Sequence, residues 1–408
     1  MKKFINYKLL VFFNSVFFIM LFLCLPVNSE KLSKSPFIPD QILNDFNSLP
    51  KDYKIRNCGL DQKINKPNKD KINVDLAPRI FGYNSRMDNW RKVEGNYSRD
   101  VFEEYSKAVS FAFVTEDTKI KEKLFNKLYY WAKNKALAKT KQCYTNKEKN
   151  SILSECEGEW SDEMGQDLAP IKDDTVAIEI VMGLNYIYNL YFSDFTSDDL
   201  KHKEINEWFK FFYKRIKPAN KFYMGNSAGW YFPNIALRHN SGKNYTKLIK
   251  KMINGADKWV SLDGSIKDRT TRGNRALWYH HTGLGESFMI LEMAKAANVE
   301  IPINYEKKLL KAAELFQDTF LDHLVIEPWA KKAHNSQPSN GVQKFNKNLD
   351  NITFNGPWFH IIQYRFPNHR TSKFIKSEMS NKARSLNSDE ITGINMGCIY
   401  SSLANFKN

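Results

Sequence analysis

The chain is short of acids. Against 61 Lys and Arg it carries only 45 Asp and Glu, a formal net charge of +16. Such a balance suits an anionic partner rather than a basic one. The familiar metal and phosphate signatures are missing as well. There is no His-Glu-x-x-His pair, no Asp-rich calcium loop and no phosphate-cradling glycine loop, so no metal and no cofactor is expected. Period-two alternation over a series of strands is also missing, which excludes an extended sheet. No internal repeat and no linker divides the chain, and past residue 25 no apolar run approaches membrane-spanning length.

Cysteine is scarce, five in 408 residues, and one of these, Cys24, falls in the N-terminal apolar run. That run, from Leu9 to Leu25, follows Lys2, Lys3 and Lys8 and precedes the small residues Val27-Asn28-Ser29. It reads as an export signal cleaved after Ser29, giving a periplasmic or secreted protein. An uncleaved anchor is the competing reading. Leu23 before Cys24 argues against lipid attachment. Loss of residues 1–29 lowers the net charge to +13. Export argues against nucleic acid as the partner and for an anionic polysaccharide, with no stable membrane insertion after cleavage. The remaining cysteines, Cys58, Cys143, Cys156 and Cys398, allow three disulfide connectivities. Cys143 and Cys156 flank a polar loop and form the favoured pair. None has zinc-type spacing.

What is present is helical period. Apolar residues recur at helical spacing over 100–115, 120–138, 175–192, 203–216, 227–238, 245–259, 275–297, 305–324, 356–365 and 391–403. Residues 30–75 show no sustained period beyond a short helix near 40–47, and 77–96 reads as a covering loop or a lid carrying Tyr83, Arg86 and Trp90. The domain plan is a signal over 1–29, an irregular segment over 30–99 and a helical domain over 100–408. Successive helices with short connections predict an all-α fold of antiparallel hairpins wound into an (α/α) barrel or incomplete toroid. A monomer is expected.

One stretch stands out, from a tight Asp263-Gly264 turn to Asn298. Within it Arg272, Arg275, Tyr279 and Glu286 are spaced by three, four and seven, which places them on one helix face. Leu277, Leu284, Phe288, Leu291 and Ala294 form an apolar face to seat the helix in the core. Two guanidiniums beside a phenol can hold a carboxylate and move a proton. Arg275 has a second reading, as a structural partner of Glu286 or Glu292. A second motif, Gly225-Asn226-Ser227-Ala228-Gly229-Trp230-Tyr231, opens an earlier helix.

Together the two motifs resemble the alginate lyase family of all-α poly(mannuronate) lyases. Arg272, Arg275, Ala276, Leu277, Tyr279 and His280 match the family's Arg-x-x-Arg-Ala-Leu-x-Tyr-His stretch position for position. The preceding Asp-Gly turn and the helix ending Ala296-Ala297-Asn298-Val299 fit it too. The resemblance implies an exported polysaccharide lyase that cleaves a polyuronate by β-elimination. It implies Tyr279 as base and acid, with Arg272 and Asn226 serving the substrate carboxylate. Arg275, His280, Trp230 and Tyr231 become candidate substrate contacts, and Trp278, Trp329 and Trp358 further sugar-stacking candidates. The family's Asn-Asn-His motif is altered: its His position holds Ser227, or Ala228 with a shifted gap. His239, His280 and His281 are the candidates to replace it. Two other classes compete. A glycoside hydrolase on an α/α toroid needs two carboxylates across a cleft, with Asp263, Asp268 and Glu286 available. A non-catalytic polyuronate-binding relative needs only the basic surface.

Overall fold

The computed structural model describes residues 34–61, 67, 79–80, 98–140, 142–143, 159–160, 173–216, 231–239, 245–332, 343, 345, 348–349, 352, 356–379 and 396–406. The expected export signal, the lid residues Tyr83, Arg86 and Trp90, and Cys156 lie outside them. The described residues belong to one compact unit, Lys34–Asn408.

Fourteen α-helices occur among the described residues. They are α1 Asp40–Asn47, α2 Lys51–Asn57, α3 Ser98–Thr115, α4 Thr118–Lys133, α5 Asp173–Ile187, α6 Asp199–Arg215, α7 Phe232–His239, α8 Tyr245–Trp259, α9 Ala276–Ala296, α10 Tyr305–Leu321, α11 Glu327–Ala330, α12 Trp358–Arg365, α13 Arg370–Glu378 and α14 Met396–Phe406. The described β-structure is two parallel pairs of two-residue strands. Local chemistry sets several helix starts. Asp117 accepts from Ile120 N–H (2.9 Å) ahead of α4, and Asp198 from Lys201 N–H (3.2 Å) ahead of α6. α5 starts at Asp173, two residues ahead of the expected 175, and runs into a π-helical turn at Tyr188–Phe192.

The helices form two layers. α3, α5, α7, α9, α12 and α14 neighbour one another in turn, with α8 between α7 and α9, and α1 and α2 packing on α14 and α2 on α3. The chain of neighbours therefore returns to its start. α4, α6, α8, α10 and α13 lie against these helices, and each keeps an exposed face. Inner α9 is buried almost all round, as are α7 and α14. A helix apolar on every side belongs inside a core, which corrects the expectation of one polar face on α9. Its acids Glu286 and Glu292 are both buried.

Within the segment expected to be irregular, residues 34–61 form two helices and a buried apolar cluster. Phe37, Ile38, Ile42, Leu43 and Phe46 are buried, and α2 is clasped to α14. A Cys58–Cys398 disulfide joins these helices across 340 residues. Around it Asn57 donates to Ser401 (3.1 Å) and Ser402 (2.9 Å), and Tyr53 to the Ser402 carbonyl (3.0 Å). Of the favoured Cys143–Cys156 pair, Cys156 lies outside the described residues. The segment has no apolar period at α2 because its buried position is a lysine. Lys54 is enclosed against Glu116 (3.0 Å) and the Phe46 ring (5.5 Å). α13 escapes the period for a similar reason, since Thr371 and Ser372 share its buried face with Ile375.

Candidate active site

The site begins where α8 ends. Val260 and Ile266 bridge antiparallel, and Asp263-Gly264 makes the tight turn between them. Asp263 holds the turn by accepting from Ser265 N–H (2.9 Å) and Oγ–H (2.7 Å), and from the Trp329 indole (3.2 Å). Gly264 has φ +86, and a Cβ there would stand 2.5 Å from the Lys311 carbonyl of α10. Only glycine meets both demands. The chain then turns at Asp268, φ 59, whose carbonyl accepts from Arg272 Nε (2.9 Å). A 3₁₀ turn, Gly273–Arg275, leads into α9.

Arg272 and Tyr279 meet, but not along one helix face as the spacing predicts, because Arg272 and Arg275 precede α9. The Arg272 guanidinium lies 4.9 Å from the Tyr279 ring centroid, within cation–π range. Both residues are half-exposed, while Trp278, exposed, sets its ring edge-on to Tyr279 at 4.8 Å. Arg275 is exposed and makes no ion pair among the described residues. Its expected partners are taken: Glu286 pairs with Arg269, and Glu292 with Arg365.

Arg269 is the residue that sequence reasoning passed over. It is buried, its guanidinium lies 5.9 Å from the Tyr279 ring, and it donates to the Glu286 carboxylate. Burial pushes the Glu286 carboxyl above its ordinary pKa, against the opposing pull of Arg269. Gly283 makes room for this arrangement, because a Cβ there would lie 2.9 Å from Arg269 Cγ. The only sequence signal for Arg269 is its place in the basic connector. Gln343 carries no signal at all. Buried and 66 residues from Leu277, it accepts from Leu277 N–H (3.1 Å) and donates to the Gly273 carbonyl (3.2 Å). It thus clamps the turn bearing Arg272 to the start of the helix bearing Tyr279.

The structure corrects the role expected for His280. The ring is fully buried between α9 and α10. Ile266 N–H donates to Thr270 Oγ (2.8 Å), Thr270 faces His280 Nδ1 (3.0 Å), and His280 Nε2 faces the Ala312 carbonyl (2.9 Å). A neutral ring, donating to the carbonyl and accepting from the hydroxyl, satisfies every group. His280 therefore fastens the site from behind instead of touching substrate. Tyr231 is also fully buried, so it too stands behind the surface. Asn226 and Trp230 lie outside the described residues. His239 and His281 are buried as well, His281 taking the Trp358 indole proton at Nδ1 (3.1 Å). None of the three candidate histidines is exposed beside Tyr279. Trp358 is core, and Trp329 is engaged with Asp263.

Burial lowers the His280 pKa to about 4, opposed by the Ala312 hydrogen bond. The unfolded ring binds a proton near pH 6.5. Between these values the unfolded state holds more protons, so stability is full above about pH 6.5 and declines as pH falls toward 4, by about 3 kcal/mol in all. Urea unfolding across that range should show a shallower pH dependence for His280→Gln than for the parent. Parallel curves would remove His280 as the cause.

Buried inner helices wrapped by an outer layer make this an all-α (α/α) toroid. Solved structures of similar fold include those of alginate lyase A1-III. A histidine-to-alanine variant complexed with tetrasaccharide matches with a TM-score of 0.55 at 13% identity, over 86% of this chain and 92% of that one. A tyrosine-to-phenylalanine variant, also complexed with tetrasaccharide, gives 0.54 at 13%, over 85% and 92%. The enzyme from Sphingomonas species A1 gives 0.53 at 12%, over 84% and 92%. No protein-family model matches the sequence, and no curated protein sequence does.

Proposed function

We propose that the protein is an exported polysaccharide lyase that cleaves an anionic polyuronate, of the alginate or polymannuronate kind, by β-elimination. The observation that carries this is the Arg272–Tyr279 pair at the N-terminal end of buried α9, on a fold that matches alginate lyase structures. The C5 proton of a uronate is barely acidic while its carboxylate is negative. Arg272 and Asn226 neutralise that carboxylate and take up charge as the enolate develops. The Tyr279 oxygen, acting as the phenolate, removes the C5 proton and becomes the phenol. The C5–H electrons become the C4=C5 double bond, and the C4–O electrons leave with the glycosidic oxygen. The phenol then returns the proton to that oxygen, so the tyrosine ends as it began. One residue serves both steps when both bonds face it, as in a syn elimination, and no histidine is required. Arg275 and Trp278, both exposed beside the pair, bind neighbouring sugars. No described helix is long and apolar enough to cross a membrane, which accords with an exported location.

The hydrolase reading finds less support. Of its three carboxylates, Glu286 is sealed against Arg269 and Asp263 is spent on its own turn. Incubation of the purified protein with polymannuronate, polyguluronate and glucuronan distinguishes the classes. A lyase releases unsaturated ends that absorb in the ultraviolet. New reducing ends without that absorbance would select the hydrolase, and binding without either product the non-catalytic relative.

A further inference from the structure

Outer helix α8 presents an unusual surface. Lys247, Lys250, Lys251, Asn254 and Lys258 are all exposed. Their spacing of three, four, seven and eleven from Lys247 puts them in one stripe, opposite the buried Ile249, Met252, Ile253 and Ala256. The stripe runs roughly 16 Å at 1.5 Å per residue. No acid interrupts it. Elsewhere nearby, lysines are matched to carboxylates: Lys295 to Glu306 (2.9 Å), Lys308 to Asp257 (2.8 Å) and Lys311 to Glu314 (2.8 Å). Asp257, the one acid of α8, is thereby taken, and Lys247, Lys250 and Lys258 make no ion pair among the described residues.

The stripe also has a direction. Residues 260–275 join the C-terminal end of α8 to the N-terminal end of α9, so Lys258 and Tyr279 lie toward the same rim. At the corner between them, Lys267 is exposed and lies over the Trp259 ring (5.2 Å), its backbone N–H bonded to the Trp259 carbonyl (2.9 Å). Lys267 thus stands between the outer wall and Arg272 and Arg275, on a connector whose acids are Asp263, engaged with Ser265 and Trp329, and Asp268.

We propose that the α8 stripe is an accessory docking track for the same acidic polysaccharide, holding the polymer on the outer wall and leading it over Lys267 to the Arg272–Tyr279 site. A linear polyanion with one carboxylate per sugar fits a linear row of ammonium groups with no intervening acid. This rests on the polyuronate reading above, but its test is binding and not turnover. The full chain would be eluted from immobilised polymannuronate by salt and compared with a variant carrying Lys247→Gln, Lys250→Gln, Lys251→Gln and Lys258→Gln. Glutamine keeps the helix. A control variant, Lys119→Gln, Lys123→Gln, Lys133→Gln and Lys203→Gln, removes the same charge from exposed positions of α4 and α6.

The stripe variant should bind at least tenfold more weakly at low salt. Its slope of log affinity on log salt should fall by about 3, at roughly 0.7 counterions per lost contact. The control should change less than about threefold, since distant charges are screened within roughly 10 Å. Equal binding by parent and stripe variant would overturn the track. So would an equal loss in both variants, or a parent that prefers phosphatidylserine vesicles or single-stranded DNA to polymannuronate at matched charge. Failure of the lyase reading shows differently, as intact retention with no unsaturated product.

Discussion

Tyr279→Phe should lower kcat on polymannuronate by roughly 10³-fold or more, because general acid–base catalysis contributes about 10² to 10⁴ and one phenol is asked to supply both transfers. KM should change little. Phenylalanine keeps the ring over which Arg272 and Arg269 lie and against which Trp278 sets its edge, so the packing survives. The Arg269–Glu286 pair and the His280 bonds involve no phenol oxygen and should be untouched. The variant should therefore unfold at the parental urea midpoint while releasing almost no ultraviolet-absorbing ends. A loss of less than about tenfold, with stability unchanged, would take the proton-transfer role away from Tyr279 and leave it a packing residue.

The largest stability effect should come from Glu292→Ala. Glu292 is fully buried on α9, and three helices meet at its carboxylate. Arg365 of α12 donates to it through Nε (2.9 Å) and Nη2 (2.7 Å), and Tyr400 of α14 donates its hydroxyl. Burial works against the Arg365 charge, yet the bidentate bond to Glu292 leaves its pKa raised. Burial raises the Tyr400 pKa, and the adjacent carboxylate adds to the effect. Removing the carboxylate strands a cation and a hydroxyl, a class of change that costs about 3–5 kcal/mol. The Arg365 side chain is 21% exposed and can still reach water, so the lower end of that range is expected. Replacing both partners, as Glu292→Met with Arg365→Met, should cost less than Glu292→Ala alone, because nothing charged remains buried. Equilibrium urea unfolding measures both. A single-variant loss under about 1 kcal/mol, or a double variant worse than the single, would show that the network does not hold these helices.

The helices were largely legible before folding. α8 was bounded at both ends by its apolar period, and α9 to within one residue, 275–297 against Ala276–Ala296. The failures share a cause. Lys54, Thr371 and Ser372 are buried polar residues, and each erased the apolar period of a short helix. Glu286 misled too: its spacing put it on the face of Arg272, Arg275 and Tyr279, but it is buried against Arg269.

At the site, the sequence by itself placed Arg272 seven residues before Tyr279. Arg272 nevertheless stands ahead of the 3₁₀ turn and not on α9, so the turn over 268–275, and not two turns of one helix, brings it over the ring. The sequence also determined the Asp263-Gly264 turn, since few residues accept a positive φ. Only the tertiary structure decided what the other groups do. Arg269, and not Arg275, answers Glu286. Gln343 reaches back 66 residues to clamp the turn, His280 is locked between two helices, and Cys58 finds Cys398 across the whole chain. These choices depend on which helix faces come together when two layers close. Periodicity fixes which side of a helix turns inward, but not which partner it will find there.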